Sequence, residues 1–150
     1  MVTTWIAAAC GQTRTPLTEY VNAPDPTFAW EFVPNATYTV DGLTIYSVFL
    51  TSQHWLTPTD SNAYTWTHWI QVCVPDTLDR SADLSILWID GGSTARISNP
   101  YTEFDSIAER FCRQSNLITS RLSAIPNQPV VFADDPSQRR RSEDGMFFFE

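Results

Sequence analysis

The amino-acid sequence predicts an α/β protein, in which antiparallel strands come first and a parallel sheet with a flanking helix follows. Residues 38–40 and 43–51 have the composition of strands, and Asp41-Gly42 between them favours the tight turn of a β-hairpin. Residues 84–89 form an apolar run without regular alternation, which is typical of a strand covered on both faces in a parallel sheet.

Each remaining element follows from its periodicity and its flanking residues. The apolar side chains of residues 102–115 recur at helical spacing, so one face of this helix is expected to pack on the sheet. A short helical turn is expected at residues 17–21. The other predicted extended segments are bounded by proline or by polar turn residues, and they cover residues 28–33, 66–74, 117–125 and 129–132.

The composition excludes some classes of partner. A chain of 150 residues is long enough for one domain. Its formal net charge is −8 and it has no lysine, so apart from the arginines at 139–141 it offers no basic face to a nucleic acid. No apolar run reaches the roughly 20 residues of a membrane-spanning helix, so no transmembrane segment is expected.

The three cysteines, Cys10, Cys73 and Cys112, give a second constraint. Cys73 lies in an apolar strand and Cys112 on the apolar side of the helix, so both are predicted to be small buried side chains. An odd count without C-x-x-C spacing argues against a zinc site or a dense disulfide framework, although it allows one bridge. The sequence therefore predicts neither a cofactor nor a metal site.

A series of short motifs occurs between residues 16 and 144. In chain order they are LTEYV at 17–21, APDP at 23–26, LTSQHWL at 50–56, HW at 68–69, VP at 74–75, IDGGS at 89–93, IPNQP at 125–129, FADD at 132–135 and RSED at 141–144. As an ordered set they resemble the PhoPQ-activated pathogenicity-related family, which includes the autocrine proliferation repressor proteins.

This resemblance implies that the chain forms an incomplete α/β-hydrolase-like fold. Family members are several times longer, and their nucleophile serine is expected in an elbow downstream of the matched region. No G-x-S-x-G elbow occurs in this sequence. Residues 1–15 are interpreted as a flexible N-terminus or signal remnant. Residues 16–135 are interpreted as the N-terminal half of an α/β-hydrolase-like domain, and residues 136–150 as a polar loop with an interrupted helix.

The predicted function is that of an N-terminal fragment of a secreted α/β-hydrolase-like protein, which lacks the nucleophile and is expected to be inactive alone. In α/β-hydrolases a loop after the third strand donates an N–H to the oxyanion hole, and Gly91, Gly92 and Ser93 match that place. The alternative is a secreted binding or signalling module with a cell-surface or glycan partner. Both interpretations place the protein outside the cell.

Three aspartates are candidates for lining the same pocket. Asp90 follows the apolar run, and Asp134 and Asp135 follow an extended segment, where α/β folds present functional groups. Asp135 precedes a proline, so the initiation of a turn is the competing interpretation.

The remaining candidates have simpler interpretations. His54 and His68 each stand beside a tryptophan, and we expect them to be hydrogen-bonded structural residues, neither metal ligands nor bases for Ser93. Asn35 begins the tripeptide N-A-T, which is a glycosylation acceptor if the protein is secreted.

Overall fold

The computed structural model describes residues 15–96 and 99–142. Its elements, in chain order, are α1 (Pro16–Asn22), β1 (Ala29–Phe32), β2 (Tyr38–Val40), β3 (Leu43–His54), β4 (Thr65–Pro75), β5 (Ser85–Ile89), α2 (Ser106–Ser115) and β6 (Ile118–Leu122), with 3-10 turns at Pro34–Ala36 and Thr94–Arg96. Most of the predicted N-terminal segment, residues 1–14, and residues 143–150 of the predicted tail lie outside the described residues.

The strands form one six-stranded sheet in the order β1-β3-β4-β6-β5, with β2 beside the same edge of β3 as β1. All pairs are antiparallel except β5 and β6, which are parallel and joined by α2. The predicted mixed α/β organisation, with antiparallel strands before a parallel pair, is therefore confirmed.

The β2–β3 hairpin forms where its turn residues predicted it. Asp41 and Gly42 have φ values of 45° and 77°, the two positive angles that a type I′ turn requires. Arg113 of α2 donates a hydrogen bond to the carbonyl oxygen of Asp41, which ties this turn to the end of the helix.

Helix α2 begins at Ser106, four residues later than predicted. Asp105 is its N-cap, since its carboxylate accepts hydrogen bonds from the backbone N–H groups of Ile107 and Ala108. The helix ends at Asn116, which has the left-handed conformation common at that position.

The core lies between α2 and one face of the sheet. It consists of Leu43, Ile45, Cys73, Phe104, Ala108 and Cys112, with Tyr38 and Trp88 packed against it. Cys73 and Cys112 are fully buried, as predicted, and a disulfide joins them, which the sequence had left open. This bond links the helix covalently to a central strand.

The opposite face of the sheet carries exposed apolar side chains, which we call the open face. Strand register brings Trp30, Phe32, Tyr46, Leu87 and Ile89 to this face. Leu87 and Ile89 are 57% and 58% exposed. The prediction that residues 84–89 are covered on both faces is therefore wrong, because α2 packs on one face of the sheet and the side chains of β5 on the other face are exposed.

One further prediction needs adjustment. Residues 129–132 do not form a strand of the sheet; Val130 and Phe132 instead make isolated bridges to Arg141 and Ser61. Within the described ranges, α1 and α2 have 7 and 10 residues, and neither is long and apolar enough to cross a membrane.

We predict that replacing both Cys73 and Cys112 by alanine lowers the free energy of unfolding by ~4 kcal/mol. The disulfide joins residues 39 positions apart, and closing a loop of that length removes ~4 kcal/mol of conformational entropy from the unfolded chain. Urea unfolding followed by tryptophan fluorescence measures the difference. Reductant should bring the unsubstituted chain to the midpoint of the variant, and an unchanged midpoint in the variant would contradict this role.

Candidate functional site

The candidate site lies where the parallel strands β5 and β6 end. Because the strands are parallel, the loops that follow them leave the sheet at the same edge. Three backbone hydrogen bonds join these loops, from Ala124 to Gly91 over 3.0 Å, from Ile125 to Asp90 over 3.2 Å and from Thr94 to Gln128 over 2.8 Å. The loop at Gly91, Gly92 and Ser93 is thus held against the loop after β6.

The glycine loop presents unused hydrogen-bond donors. The N–H groups on either side are occupied, since Asp90 donates to Leu122 and Thr94 to Gln128. Those of Gly92 and Ser93 donate to no acceptor within residues 15–96 and 99–142. Gly92 is exposed and Ser93 is half-buried.

Gly92 has a backbone conformation that requires glycine. Its φ is 131°, and a Cβ atom there would lie 3.7 Å from the backbone nitrogen of Ala124. Space is therefore adequate, and the backbone angle is what excludes a larger residue. Ser93 uses its hydroxyl to accept a hydrogen bond from the N–H of Ala95, within its own turn.

The Asp90 carboxylate forms an ion pair with Arg121. Two nitrogens of Arg121 lie 2.6 and 3.0 Å from one oxygen of the Asp90 carboxylate, and the Arg121 guanidinium lies 4.8 Å from the centre of the Tyr101 ring. The Asp90 side chain is one-third exposed. This pair fixes the end of β5 against β6, directly before the glycine loop.

The two adjacent aspartates after residue 133 have different environments. Asp135 is buried and accepts hydrogen bonds from the backbone and hydroxyl of Ser137 and from Arg141, 2.8 Å away. The hydrogen bonds from Ser137 and the charge of Arg141 lower the pKa of Asp135 to about 2. Asp134 is exposed and lines a cleft of about 490 Å³ together with Leu56, Thr59, Asp60, Phe132 and Ala133.

Both histidines are hydrogen-bonded, as predicted. Nδ1 of His54 lies 2.8 Å from the hydroxyl oxygen of Tyr64, whose ring stacks on the imidazole. His68 is fully buried, and its two ring nitrogens lie 2.8 Å from Ser52 Oγ and 3.0 Å from the carbonyl oxygen of Ser123. Burial lowers the pKa of His68, so the imidazole is neutral near pH 7.

Sequence reasoning missed Asn127, which positions the loop after β6. Its Oδ1 accepts a hydrogen bond from the Thr67 N–H, and its Nδ2 donates to the carbonyl oxygens of Thr67 and Ala124. The Asn127 side chain thus pairs with β4 as a strand residue would. Only the position between two prolines, at Pro126 and Pro129, marked this segment as constrained.

A small polar pocket lies beside the Asn127 side chain. Its volume is about 230 Å³, and it is lined by uncharged residues, namely Asn62, Ala63, Thr65, Thr67, Thr94, Asn127 and Pro129. Within the described ranges, no group of three or more His, Cys, Asp or Glu side chains could hold a metal ion. Asn35 is exposed in the 3-10 turn before β2.

We predict that Gly92→Ala lowers the free energy of unfolding by about 1 to 3 kcal/mol, because alanine would have to adopt a positive φ that it disfavours. The matched control is Gly91→Ala, since Gly91 does not have a positive φ. Thermal unfolding of the two variants measures the difference. Equal effects would contradict the assignment of backbone strain to Gly92.

We predict that Asp135→Asn destabilises the protein at neutral pH and loses this effect in acid. The pKa of Asp135 is lowered in the folded state, to about 2, so its stabilisation is present above the unfolded pKa of about 3.9 and disappears as the pH falls through about 2. Urea unfolding of both proteins from pH 7 to pH 2 tests this. The control Asp134→Asn, at an exposed carboxylate, should have the same stability as the unsubstituted chain at every pH. A stability difference between Asp135→Asn and the unsubstituted chain that does not change with pH would exclude the ion pair as the cause.

Comparison with known proteins identifies the family. The model of the PhoPQ-activated pathogenicity-related proteins matches residues 17–148. The autocrine proliferation repressor protein A of Dictyostelium discoideum is 37% identical over 125 residues, which are 83% of this chain and 24% of that relative. The chain thus spans about a quarter of the relative's length, and no solved structure matches it significantly. By the extent of both matches, this chain belongs to the PhoPQ-activated pathogenicity-related protein family.

Proposed function

We propose that the chain is the N-terminal part of an exported α/β-hydrolase-like protein, and that its glycine loop supplies donors to the oxyanion hole. The observation that carries this proposal is the pair of N–H groups of Gly92 and Ser93, directly after a parallel strand, which donate to no acceptor within residues 15–96 and 99–142. Backbone N–H groups held in this way stabilise negative charge as it develops on a carbonyl oxygen.

The strand order supports the hydrolase interpretation. Antiparallel β4 lies between β3 and the parallel pair, and β6, the later strand of that pair, lies inside the earlier one. An α/β-hydrolase sheet begins in the same way, and the loop after the outer strand of the pair contributes to its oxyanion hole. The next strand of such a sheet would pair with the free edge of β5.

The open face supports the interpretation that more protein belongs on this sheet. Leu87 and Ile89 of β5 are more than half exposed, and Trp30 and Phe32 at the other end of the same face are 66% and 43% exposed. Contiguous apolar surface of this kind marks an interaction site. The relative is about four times as long as the matched region, so it contains enough chain to cover this face.

The proposed role of each residue follows from its chemistry and its position. The glycine loop stabilises charge, and Asp90 with Arg121 fixes its position. The cleft that Asp134 lines shares no lining residue with this loop. The sequence contains no G-x-S-x-G elbow, so at this loop the nucleophile, its base and its acid would come from residues beyond Glu150.

The disulfide and the acceptor tripeptide support export. Disulfides persist in oxidising compartments and are rare in the cytosol, and Cys73–Cys112 joins two central elements. Asn35 is exposed in a turn, so its side chain is accessible as an acceptor.

The deciding experiment is to sequence the mature message beyond the codon for Glu150. A reading frame that continues into a strand and a G-x-S-x-G elbow supports the proposal. A stop codon directly after Glu150 in the mature message overturns it and favours a binding role for the short chain.

That alternative function has its own observation. The open face includes Trp30, Phe32 and Tyr46 on an acidic protein, and exposed aromatic side chains are suited to binding a protein or a glycan. The Dictyostelium relative is named as an autocrine proliferation repressor. Saturable, salt-sensitive binding of the labelled chain to cells would support this function, and binding that does not saturate would contradict it.

We predict that Leu87→Glu with Ile89→Glu reduces self-association of the isolated chain, because both side chains are exposed on β5, whose outer edge pairs with no other strand in the described part of the chain. The matched control is Leu17→Glu with Val21→Glu on α1, where the residues are 70% and 69% exposed. Sedimentation velocity over a range of concentrations measures association. An equal reduction in the control would show that added charge alone is responsible.

A further inference from the structure

A serine and a histidine come together at a β-bulge between β3 and β4. The register of the two strands passes from the pair Thr51–Thr67 to the pair Gln53–Trp66, which leaves Ser52 as an extra residue. A bulge changes the direction of the side chain it contains, and bulges are frequent next to active sites. Here it brings Ser52 Oγ to 2.8 Å from His68 Nε2.

The hydrogen bonds define which nitrogen of His68 carries the proton. The carbonyl oxygen of Ser123, 3.0 Å from Nδ1, can only accept, so Nδ1 is the protonated nitrogen. Nε2 therefore has a free lone pair, and the hydroxyl of Ser52 donates to it. The carbonyl oxygen of Trp66 lies farther from Ser52 Oγ, at 3.4 Å, and is a poorer acceptor for the same proton.

The surroundings of His68 keep the ring in this orientation. The ring is fully buried, with Leu50 paired opposite it and Trp66 in edge contact. Asn127 Nδ2 lies 3.4 Å from Nδ1, but it uses its hydrogens in shorter bonds to two carbonyl oxygens. A neutral imidazole with a fixed tautomer, bonded to a hydroxyl on one side and to a carbonyl on the other, is the arrangement of a nucleophile, its base and an orienting group.

A cleft adjoins Ser52. Its volume is about 480 Å³, and its lining is mostly apolar, with Val21, Ala23, Pro24 and Pro26 among the residues that line it with Ser52. Asp25 contributes a carboxylate, which is bonded to Thr27 and to the backbone N–H of His54. Apolar walls suit an acyl chain, and the carboxylate disfavours an anionic ligand.

We propose that Ser52 is a nucleophile, with His68 as its base, and that it accepts an acyl group from a small uncharged ester bound in this cleft. Ser52 Oγ attacks the ester carbonyl carbon, and its proton passes to His68 Nε2. The new Oγ–C bond is retained while the ester C–O bond breaks, and the proton is delivered to the departing alcohol. Water can later hydrolyse the acyl-serine by the reverse proton path.

This site is distinct from the glycine loop. Ser52 lies on β3 and the glycine loop follows β5, three strand positions away, which corresponds to ~14 Å across the sheet. The proposal therefore does not depend on the downstream nucleophile of a longer protein. Because the loop donors are distant, we expect one acyl group per chain, followed by slow release.

The test is covalent labelling of the 150-residue chain with an alkyl fluorophosphonate, followed by peptide mass spectrometry. We expect one label per chain, on Ser52, and none after unfolding in urea. Since the labelled residue is located in the unsubstituted protein, this result does not depend on a variant that folds.

Two variants complete the test. Ser52→Ala should reduce labelling at least tenfold, whereas Ser120→Ala, at a half-buried strand serine, should leave it within about twofold. Label on Ser93 or another residue, or labelling no faster than in the unfolded chain, would overturn the proposal. The hydrolase-like origin of the chain is tested separately by the message sequence, so the two proposals can fail independently.

Discussion

The parallel pairing of β5 with β6 is the constraint on which the rest of the structure depends. Parallel neighbours cannot be joined by a tight turn, so the chain must cross over, and α2 forms that crossover. The crossover covers one face of the sheet and brings the ends of both strands to one edge. Because of that pairing, the glycine loop, the Asp90–Arg121 pair and the Asn127 side chain all lie where these two strands end.

Electrostatics at this edge is organised by a few arginines in an acidic protein. The chain has nine basic residues, all arginine, against 17 acidic ones. Arg121 holds Asp90 before the glycine loop, and Arg141 holds Asp135 after the second loop. Each arginine joins segments distant in sequence or fixes a loop, and each pair is partly or fully shielded from solvent. The main effect of these ion pairs is therefore to fix the position of the backbone, and they add little charge to the surface.

The sequence was sufficient to predict the elements that depend on local residues. The β2–β3 hairpin follows from Asp41 and Gly42, and the packed face of α2 follows from its spacing of apolar residues. The start of α2 was predicted too early because Asp105, as a cap, excludes the preceding residues from the helix. The prediction that both faces of β5 are covered was wrong. An apolar run shows that a strand can be buried, but it does not show which elements pack against it.

The candidate site was less accessible to prediction, since it depends on contacts between distant segments. The following proline marks Asp135 as a turn residue, but nothing local predicts that Asp135 is buried beside Arg141 while Asp134 is exposed. Ser52 and His68 are 16 residues apart, and at the bulge in the β3–β4 register Ser52 Oγ lies 2.8 Å from His68 Nε2. Pairing the two strands from their hydrophobic pattern would have placed both residues near one another, but it would not have predicted the bulge.

The disulfide described above has a consequence for cleavage of the backbone. Cys73 and Cys112 enclose β5, the glycine loop and most of α2 in one covalent ring. A protease that cuts a single peptide bond inside this ring leaves both pieces attached to each other. The two pieces then remain at a high effective concentration relative to each other, so the strands on either side of the cut can stay paired. A nick within the ring therefore does not release the segment that carries the glycine loop.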